Sequence, residues 1–79
     1  PFNPSTKIKF QIPKSSSVAQ TFLSVYDILG REIAILVNQQ LQPGTYEVEW
    51  DASIYPSGIY FYTINTAEFK ETKKMLILK

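Results

Sequence analysis

The chain contains no cysteine and no histidine. Without cysteine there is no disulfide and no thiolate nucleophile or metal ligand, although this absence does not by itself indicate a reducing compartment. Without histidine the commonest general base and a frequent transition-metal ligand are missing. The serines at positions 15 to 17 have no base at any motif spacing, and we interpret them as loop residues. We therefore expect a protein that is not an enzyme and that carries no metal and no cofactor.

Long apolar runs and a strong net charge are also absent. Runs such as Met75–Leu78 are far shorter than the roughly 20 residues of a membrane helix. The net charge of +1 is too small to indicate a nucleic-acid-binding protein. Lysines are nevertheless concentrated in the C-terminal part, at Lys70, Lys73, Lys74 and Lys79.

The length of 79 residues fits one small domain. A chain of this size buries only about 60% of the surface of its unfolded form, so its core needs large side chains. Five tyrosines, five phenylalanines and one tryptophan supply them. The chain begins at Pro1 with no charged-then-apolar leader, and we expect it to be one domain, 1–79, of a longer secreted protein.

Two segments predict the central strands of the fold. In Gly44–Asp51, the apolar side chains Tyr46, Val48 and Trp50 alternate with acidic ones, which is the period of a strand with one buried face. Gly58–Ile64 is apolar on both faces, as a strand between two neighbours is. The proline and serine before Gly58 predict a turn between the two strands.

Four further segments have strand patterns: Lys7–Ile12, Thr21–Asp27, Glu32–Val37 and Phe69–Lys79. Gly30 predicts a tight connection between the second and third strands because glycine accepts a positive φ. A helix over 32–42 is the alternative for the third segment, but its β-branched content favours a strand followed by a polar loop, 38–43. Six strands with short loops predict a two-layer antiparallel sandwich with Greek-key connections. We place the first, second and fourth strands in one sheet and the third, fifth and sixth in the other.

The acidic residues of the fourth strand have two interpretations. Glu47, Glu49 and Asp51 share one face and could form a hard-cation site or a carboxylate pair for acid–base chemistry. Side chains in a row along a strand diverge, however, whereas calcium needs converging oxygens from a loop. We therefore predict a solvated face that lysines on neighbouring strands balance.

The aromatic residues also have two interpretations. Tyr60 and Tyr62 could form a platform for sugars or peptides, or they could belong to the core and resemble the tyrosine corner of immunoglobulin-like sandwiches. The core is favoured for these residues and for Trp50 because a domain this small needs the rings inside. Phe22 and Tyr26, predicted to lie on the face opposite Leu23 and Val25, are the aromatic residues we expect to be exposed, and they could form a docking patch.

Several motifs occur together in one order along the chain. They are Pro1-Phe-Asn-Pro-Ser-Thr6, Val25-Tyr-Asp27, Gly30-Arg-Glu-Ile33, Pro43-Gly-Thr-Tyr-Glu-Val48, Trp50-Asp51, Ser57-Gly-Ile-Tyr-Phe-Tyr62 and Lys74-Met-Leu-Ile-Leu-Lys79. This pattern resembles, from end to end, the type-A C-terminal sorting domain of the type IX secretion system of Bacteroidetes and related phyla. The opening motif resembles that of the family with its first residues missing. The loop 65–68 lacks the glycine that is common there, and Asn65 is expected to supply the left-handed conformation instead.

The resemblance implies an immunoglobulin-like antiparallel β-sandwich of six to seven strands, close to the domain of flagellar hook-capping proteins. It also implies a C-terminal signal that directs an upstream cargo through the type IX system to the cell surface or the medium. The expected partners are the translocon, met in the periplasm, and a sortase-like protease. We expect a monomer with no nucleic-acid partner and no membrane span.

A hypothesis about the recognised surface follows from the last strand, which could lie at a sheet edge where a partner adds a strand or reads side chains. The predicted recognition residues are Lys73, Lys74, Met75 and Lys79. The residues predicted to hold the fold that presents them are Gly44, Tyr46, Trp50, Gly58, Tyr60 and Tyr62. The alternative function is an accessory spacer or glycan-binding module of an extracellular enzyme, which would need coplanar exposed rings.

Overall fold

The computed structural model describes residues 5–14 and 19–78, and within these ranges it consists of strands and turns without a helix. The six strands are β1 Ser5–Ile12, β2 Ala19–Tyr26, β3 Glu32–Leu41, β4 Gly44–Asp51, β5 Gly58–Asn65 and β6 Lys70–Ile77. The predicted all-β fold is confirmed, and so is the strand alternative for the third segment. The serine run, residues 15–17, lies outside the described residues.

The strands form two antiparallel sheets of unequal width. One sheet contains only β1 and β4, and the other has the order β3-β2-β5-β6. The neighbours β1–β4 and β2–β5 are not consecutive in the chain, as Greek-key connections require. Our assignment of β2 to the sheet of β1 and β4 was wrong. The short connection after Tyr26 makes β2 and β3 antiparallel neighbours, and a connection of this length joins strands of the same sheet.

Strand β3 is longer and less regular than its sequence predicted. It continues to Leu41, so residues 38–41 of the predicted loop 38–43 belong to the strand, where they pair with the first half of β2. The Gln20 side chain donates a hydrogen bond of 2.6 Å to the Asn38 side chain. Two irregularities in the pairing leave Ile33 and Leu36 without a partner on β2. Such bulges interrupt the alternation of side chains, so the neighbours Ile33 and Ala34 both pack against the core, as Leu36 and Val37 do, while Ile35 is exposed.

The core lies between the two sheets and combines inward-facing side chains from all six strands. It consists of Ile8, Phe10, Ile12, Leu23, Val25, Val37, Leu41, Trp50, Ala52, Tyr60, Ile64 and Ile77. The predicted alternation is confirmed in β1, where Lys7, Lys9 and Gln11 are exposed between buried neighbours. Strand β5 lies between β2 and β6, which confirms its predicted central position.

Two turns differ in how they reverse the chain. In the β2–β3 turn, Gly30 has a φ of +84°, as predicted from its freedom to adopt positive values. In the β5–β6 turn, Asn65 does not have the expected left-handed conformation. Among the described residues, positive φ values occur only at glycines. The Thr66 hydroxyl instead accepts hydrogen bonds from the backbone N–H groups of Glu68 and Phe69 at 3.1 and 3.2 Å. A side-chain-supported turn of this kind does not need glycine.

Candidate recognition surface

Strand β6 forms one edge of the four-stranded sheet. It pairs only with β5 within the described chain, and its residues from Lys70 to Lys74 are all exposed. An edge strand presents backbone N–H and C=O groups that another strand can pair with. Lysines along such an edge discourage unselective pairing. The position of β6 is therefore the one that the recognition hypothesis requires.

The predicted recognition residues are distributed over two faces of β6. The pairing with β5 places Lys73 opposite Tyr62 and Met75 opposite Tyr60, on the side that faces the other sheet. Met75 is half-buried and packs against the core. Lys74 lies opposite Phe61 and points to the outer face, because neighbouring side chains in a strand alternate. A single flat contact cannot reach all of these side chains, and Lys79 lies outside the described residues.

A groove of about 780 Å³ runs between β6 and the neighbouring edge of the other sheet. It is lined by Lys9, Phe10, Gln11, Pro13, Thr45, Phe69, Glu71 and Lys73. The groove exists because a two-stranded sheet cannot cover the whole inner face of a four-stranded one. We call it the β1–β6 seam. No sequence pattern indicates that β1 contributes to the seam, since the proximity of β1 to β6 depends on how the sheets stack.

The acidic face of β4 lies beside the lysines of β1. On the outer face of the small sheet, Lys7 and Lys9 lie directly opposite Glu49 and Glu47, and the Lys9 Nζ is 3.9 Å from a Glu47 carboxylate oxygen. The Asp51 carboxylate accepts a hydrogen bond of 2.9 Å from a backbone N–H two residues later. The prediction that lysines balance this acidic face is confirmed for Glu47 and Glu49.

Strand β6 differs from β1 because its positive charge is only partly compensated. It carries three lysines and one glutamate. The Lys73 Nζ is 3.7 Å from a Glu71 carboxylate oxygen, and both side chains are more than half exposed. An exposed ion pair of this kind contributes little to stability. The lysines of β6 are therefore available to an acidic partner at small cost to the fold.

Two tyrosines support the starts of β4 and β5 in the same way. The Tyr60 hydroxyl donates a hydrogen bond of 2.6 Å to the Pro56 carbonyl, and the Tyr46 hydroxyl donates one of 2.5 Å to the Gln42 carbonyl. In both cases the acceptor lies four residues earlier. Each tyrosine follows, two residues later, a glycine with φ near +154°, at Gly44 and Gly58. The tyrosine corner predicted in the segment of Tyr60 and Tyr62 is formed by Tyr60, and Tyr46 forms a second one that was not predicted.

Trp50 and Tyr62 were also predicted to hold the fold that presents the recognition residues. Trp50 belongs to an aromatic cluster, and Tyr62 packs beside the core. Trp50 is buried, with its ring 5.4 Å from Tyr60 and 5.6 Å from Tyr55. The Tyr55 hydroxyl donates a hydrogen bond of 3.0 Å to the carbonyl of Ile33, a bulge residue of β3. This bond links the β4–β5 loop to β3, an edge strand of the four-stranded sheet. Tyr62 is half-buried and packs against the core.

Comparison with known protein families identifies the chain. The family model described as the secretion system C-terminal sorting domain matches residues 1–78. The chain belongs to this family. A search of curated proteins and a search of solved structures each returned no significant match.

Membership of the sorting-domain family establishes what the chain does. It is a C-terminal sorting signal for the type IX secretion system, and it belongs to a non-catalytic family. Such a domain implies an upstream cargo and export to the cell surface or the extracellular space. Within residues 5–14 and 19–78, no helix has the length and apolarity needed to cross a membrane.

A glycan-binding function of this sorting domain would need exposed aromatic rings, and Phe22 and Tyr26 on the outer face of the four-stranded sheet are the predicted candidates. Phe22 is 38% exposed, and Tyr26 is half-buried with its hydroxyl 3.5 Å from the Glu32 carboxylate. In the described part of the chain, the aromatic pairs that stack or meet edge to face all lie away from this face. The structure thus gives no support to a stacked glycan platform, and the docking patch of Phe22 and Tyr26 stays a prediction.

The Asp27 carboxylate organises the β2–β3 turn of the sorting domain. The Asp27 carboxylate accepts hydrogen bonds from the backbone N–H groups of Leu29 and Arg31 and a 2.8 Å bond from the Arg31 side chain. The Arg31 backbone bond, with smaller contributions from the Arg31 guanidinium and the Leu29 N–H, lowers the pKa of Asp27 below its usual value. These bonds shape the turn. Over the described residues, no three acidic side chains are placed to hold a metal ion.

Proposed function

We propose that this sorting domain is recognised through β6 and that the translocon reads the exposed lysines of that strand. The observation that carries the proposal is the position of β6 at a sheet edge together with its excess of positive charge. An edge strand can pair with a strand of a partner, and its alternating side chains then decide which partner fits.

The recognition residues lie on different faces of β6 and would make different contacts with a partner. Lys73 lines the β1–β6 seam, and Lys74 lies on the outer face beside Phe61. A partner strand along β6 would contact both rows of side chains at once. Met75 packs against the core and would hold the strand in place, while Lys79 would extend the positive charge beyond β6.

The remaining steps of the proposed pathway concern the cell. The domain, 1–79, would act as a monomer attached to its cargo, meet the translocon in the periplasm, and be removed at the surface by a sortase-like protease. The twin tyrosine corners and Trp50 would keep β5, and with it β6, rigid during this transit. A rigid recognition strand reduces the entropy that binding costs.

The experiment is export of a folded reporter fused upstream of Pro1, in a host with a type IX system and in the same host without the translocon. Reporter outside the cell only when the translocon is present is the expected result. Removal of 75–79 should abolish export and leave the reporter active. That truncation also deletes the buried Ile77, so it cannot separate recognition from folding.

A pair of charge-matched variants makes that separation. Lys73→Gln with Lys74→Gln removes two charges from β6, and Lys7→Gln with Lys14→Gln removes two from residues that do not line the β1–β6 seam. All four side chains are exposed, so the thermal midpoints should stay close to that of the unmodified domain. We expect reduced export only for the β6 pair. Equal export by the two variants would contradict recognition through the β6 lysines.

A further inference from the structure

The β1–β6 seam lies between two strands that each have a free edge. Within residues 5–14 and 19–78, β1 pairs only with β4, and β6 pairs only with β5. Alternate residues of an edge strand direct backbone N–H and C=O groups away from the sheet, where an extended peptide can pair with them. A groove bounded by two such strands therefore suits an extended peptide better than a compact ligand.

The least exposed residues of the seam are aromatic. Phe10 and Phe69 line it from its two sides. Phe10 is 5% exposed, and its ring stacks on that of Tyr46 with a centroid distance of 5.5 Å. Phe69 is half-buried and packs against the core. Because the fold already holds both rings, an apolar side chain that binds on them does not have to order them first.

The exposed residues of the seam carry an excess of positive charge. Lys9 on β1 and Lys73 on β6 line it, together with a single acidic residue among the described ones, Glu71. The Lys73 Nζ is 3.7 Å from a Glu71 carboxylate oxygen. The Lys9 Nζ is 3.9 Å from a carboxylate oxygen of Glu47, which does not line the groove. Both ion pairs are exposed and contribute little to stability, so a carboxylate of a partner can replace either one at small cost.

We propose that the β1–β6 seam binds an extended segment of the type IX machinery in which acidic and apolar side chains alternate. Successive side chains of a strand point to opposite faces. The apolar ones rest on Phe10 and Phe69, and the carboxylates face Lys9 and Lys73. This inference rests on the proposed function, since Lys73 is common to both, and it adds the chemistry of the partner and a contribution from β1.

Charge and apolarity together define which segments fit the seam. A basic segment would bring further positive charge to the two lysines, and like charges in contact disfavour binding. An acidic segment without apolar side chains would leave the rings of Phe10 and Phe69 uncovered and would gain only charge contacts that salt screens. Selection of the alternating segment thus needs both the rings and the lysines.

Nuclear magnetic resonance of the unmodified 79-residue chain tests the binding directly. The probe is a short synthetic peptide in which glutamate and valine alternate. Two control peptides carry lysine in place of glutamate or serine in place of valine. We expect the first peptide to shift the ring signals of Phe10 and Phe69 and the signals of the two seam lysines, and each control to bind several-fold more weakly. A control that binds as tightly as the first peptide, shifts confined to residues away from the seam, or no binding at millimolar concentration would overturn the proposal.

Export of the reporter tests the same contact in the cell. Lys9→Gln removes a seam lysine without changing β6. Lys7→Gln is the matched control, because Lys7 is also exposed on β1, opposite Glu49, but does not line the seam. We expect several-fold lower export for Lys9→Gln and unchanged export for Lys7→Gln, with thermal midpoints close to that of the unmodified domain.

The outcomes separate this inference from the proposed function. Normal export by Lys9→Gln, with reduced export by the double variant of Lys73 and Lys74, would refute binding in the seam and leave recognition through β6 in place. Normal export by both variants would refute both. Equal loss of export by Lys9→Gln and Lys7→Gln would show an effect of charge on β1 in general and would also refute the seam.

Discussion

The Tyr60→Phe substitution isolates the hydrogen bond of the second tyrosine corner. It removes the hydroxyl that donates to the Pro56 carbonyl at 2.6 Å and keeps the ring, which contacts Trp50 at 5.4 Å. The domain should therefore fold with its aromatic cluster intact. Any loss of stability then reports the corner and not the core.

The expected magnitude follows from the surroundings of the two partners. A protein hydrogen bond contributes about 0.5–1.5 kcal/mol net, and an acceptor left without a partner adds to the loss only when water cannot reach it. Pro56 is exposed, so its carbonyl can bind water in the variant. We expect a loss of about 1 kcal/mol, equivalent to about 4–8 °C in the thermal midpoint of a domain this small.

Two further substitutions serve as comparisons. Tyr46→Phe removes the corresponding bond to Gln42, which lies in an exposed setting, and should cost less than Tyr60→Phe. Tyr62→Phe should cost almost nothing, because the Tyr62 hydroxyl makes no hydrogen bond within the described residues.

The assay is urea unfolding followed by the fluorescence of Trp50, the single tryptophan, which is 3% exposed in the folded state. The unfolding slope should be the same for all variants, since they expose the same surface. Equal stability of the Tyr60 and Tyr62 variants would refute the idea that the corner bond stabilises β5.

Two predictions concern the turns. Thr66→Val removes the hydroxyl that accepts hydrogen bonds from the Glu68 and Phe69 N–H groups. Urea unfolding should show a free energy of unfolding lower by about 1 kcal/mol. An unchanged unfolding midpoint would contradict this role of the side chain. Asp27 should titrate below its ordinary pKa of 3.8 because of the Arg31 backbone bond, so its stabilising contribution is present above that pH and is lost as the pH falls through the folded pKa. Carboxyl chemical shifts during an acid titration measure this, and a midpoint at or above 3.8 would contradict the bonding described for the turn.

Local features of the fold were predictable from the sequence. The alternation in β1 and β4 identifies their buried faces, and Gly30 identifies a turn with a positive φ, because both signals arise from neighbouring residues alone. The tyrosine corner at Tyr60 is local in the same sense, since its acceptor lies four residues earlier. The order of short motifs along the chain also sufficed to indicate the sorting-domain family.

Features that depend on distant residues were not predictable in this way. Alternation tells which side chains share a face, but it does not tell which strand lies beside it, and the partition of β2 was wrong for that reason. The bulges at Ile33 and Leu36 are decided by the pairing of β3 with β2. No pattern within β3 indicates where they occur.

The candidate recognition surface was likewise predictable only in part. The sequence determined that the last strand is rich in lysine and that β5 is apolar on both faces. Only the tertiary structure decided that Lys73 and Lys74 lie on opposite faces of an edge strand and that β1 forms the other wall of the seam. The physical reason is that strand composition is set residue by residue, whereas the neighbours of a strand are set by the packing of two sheets of different width.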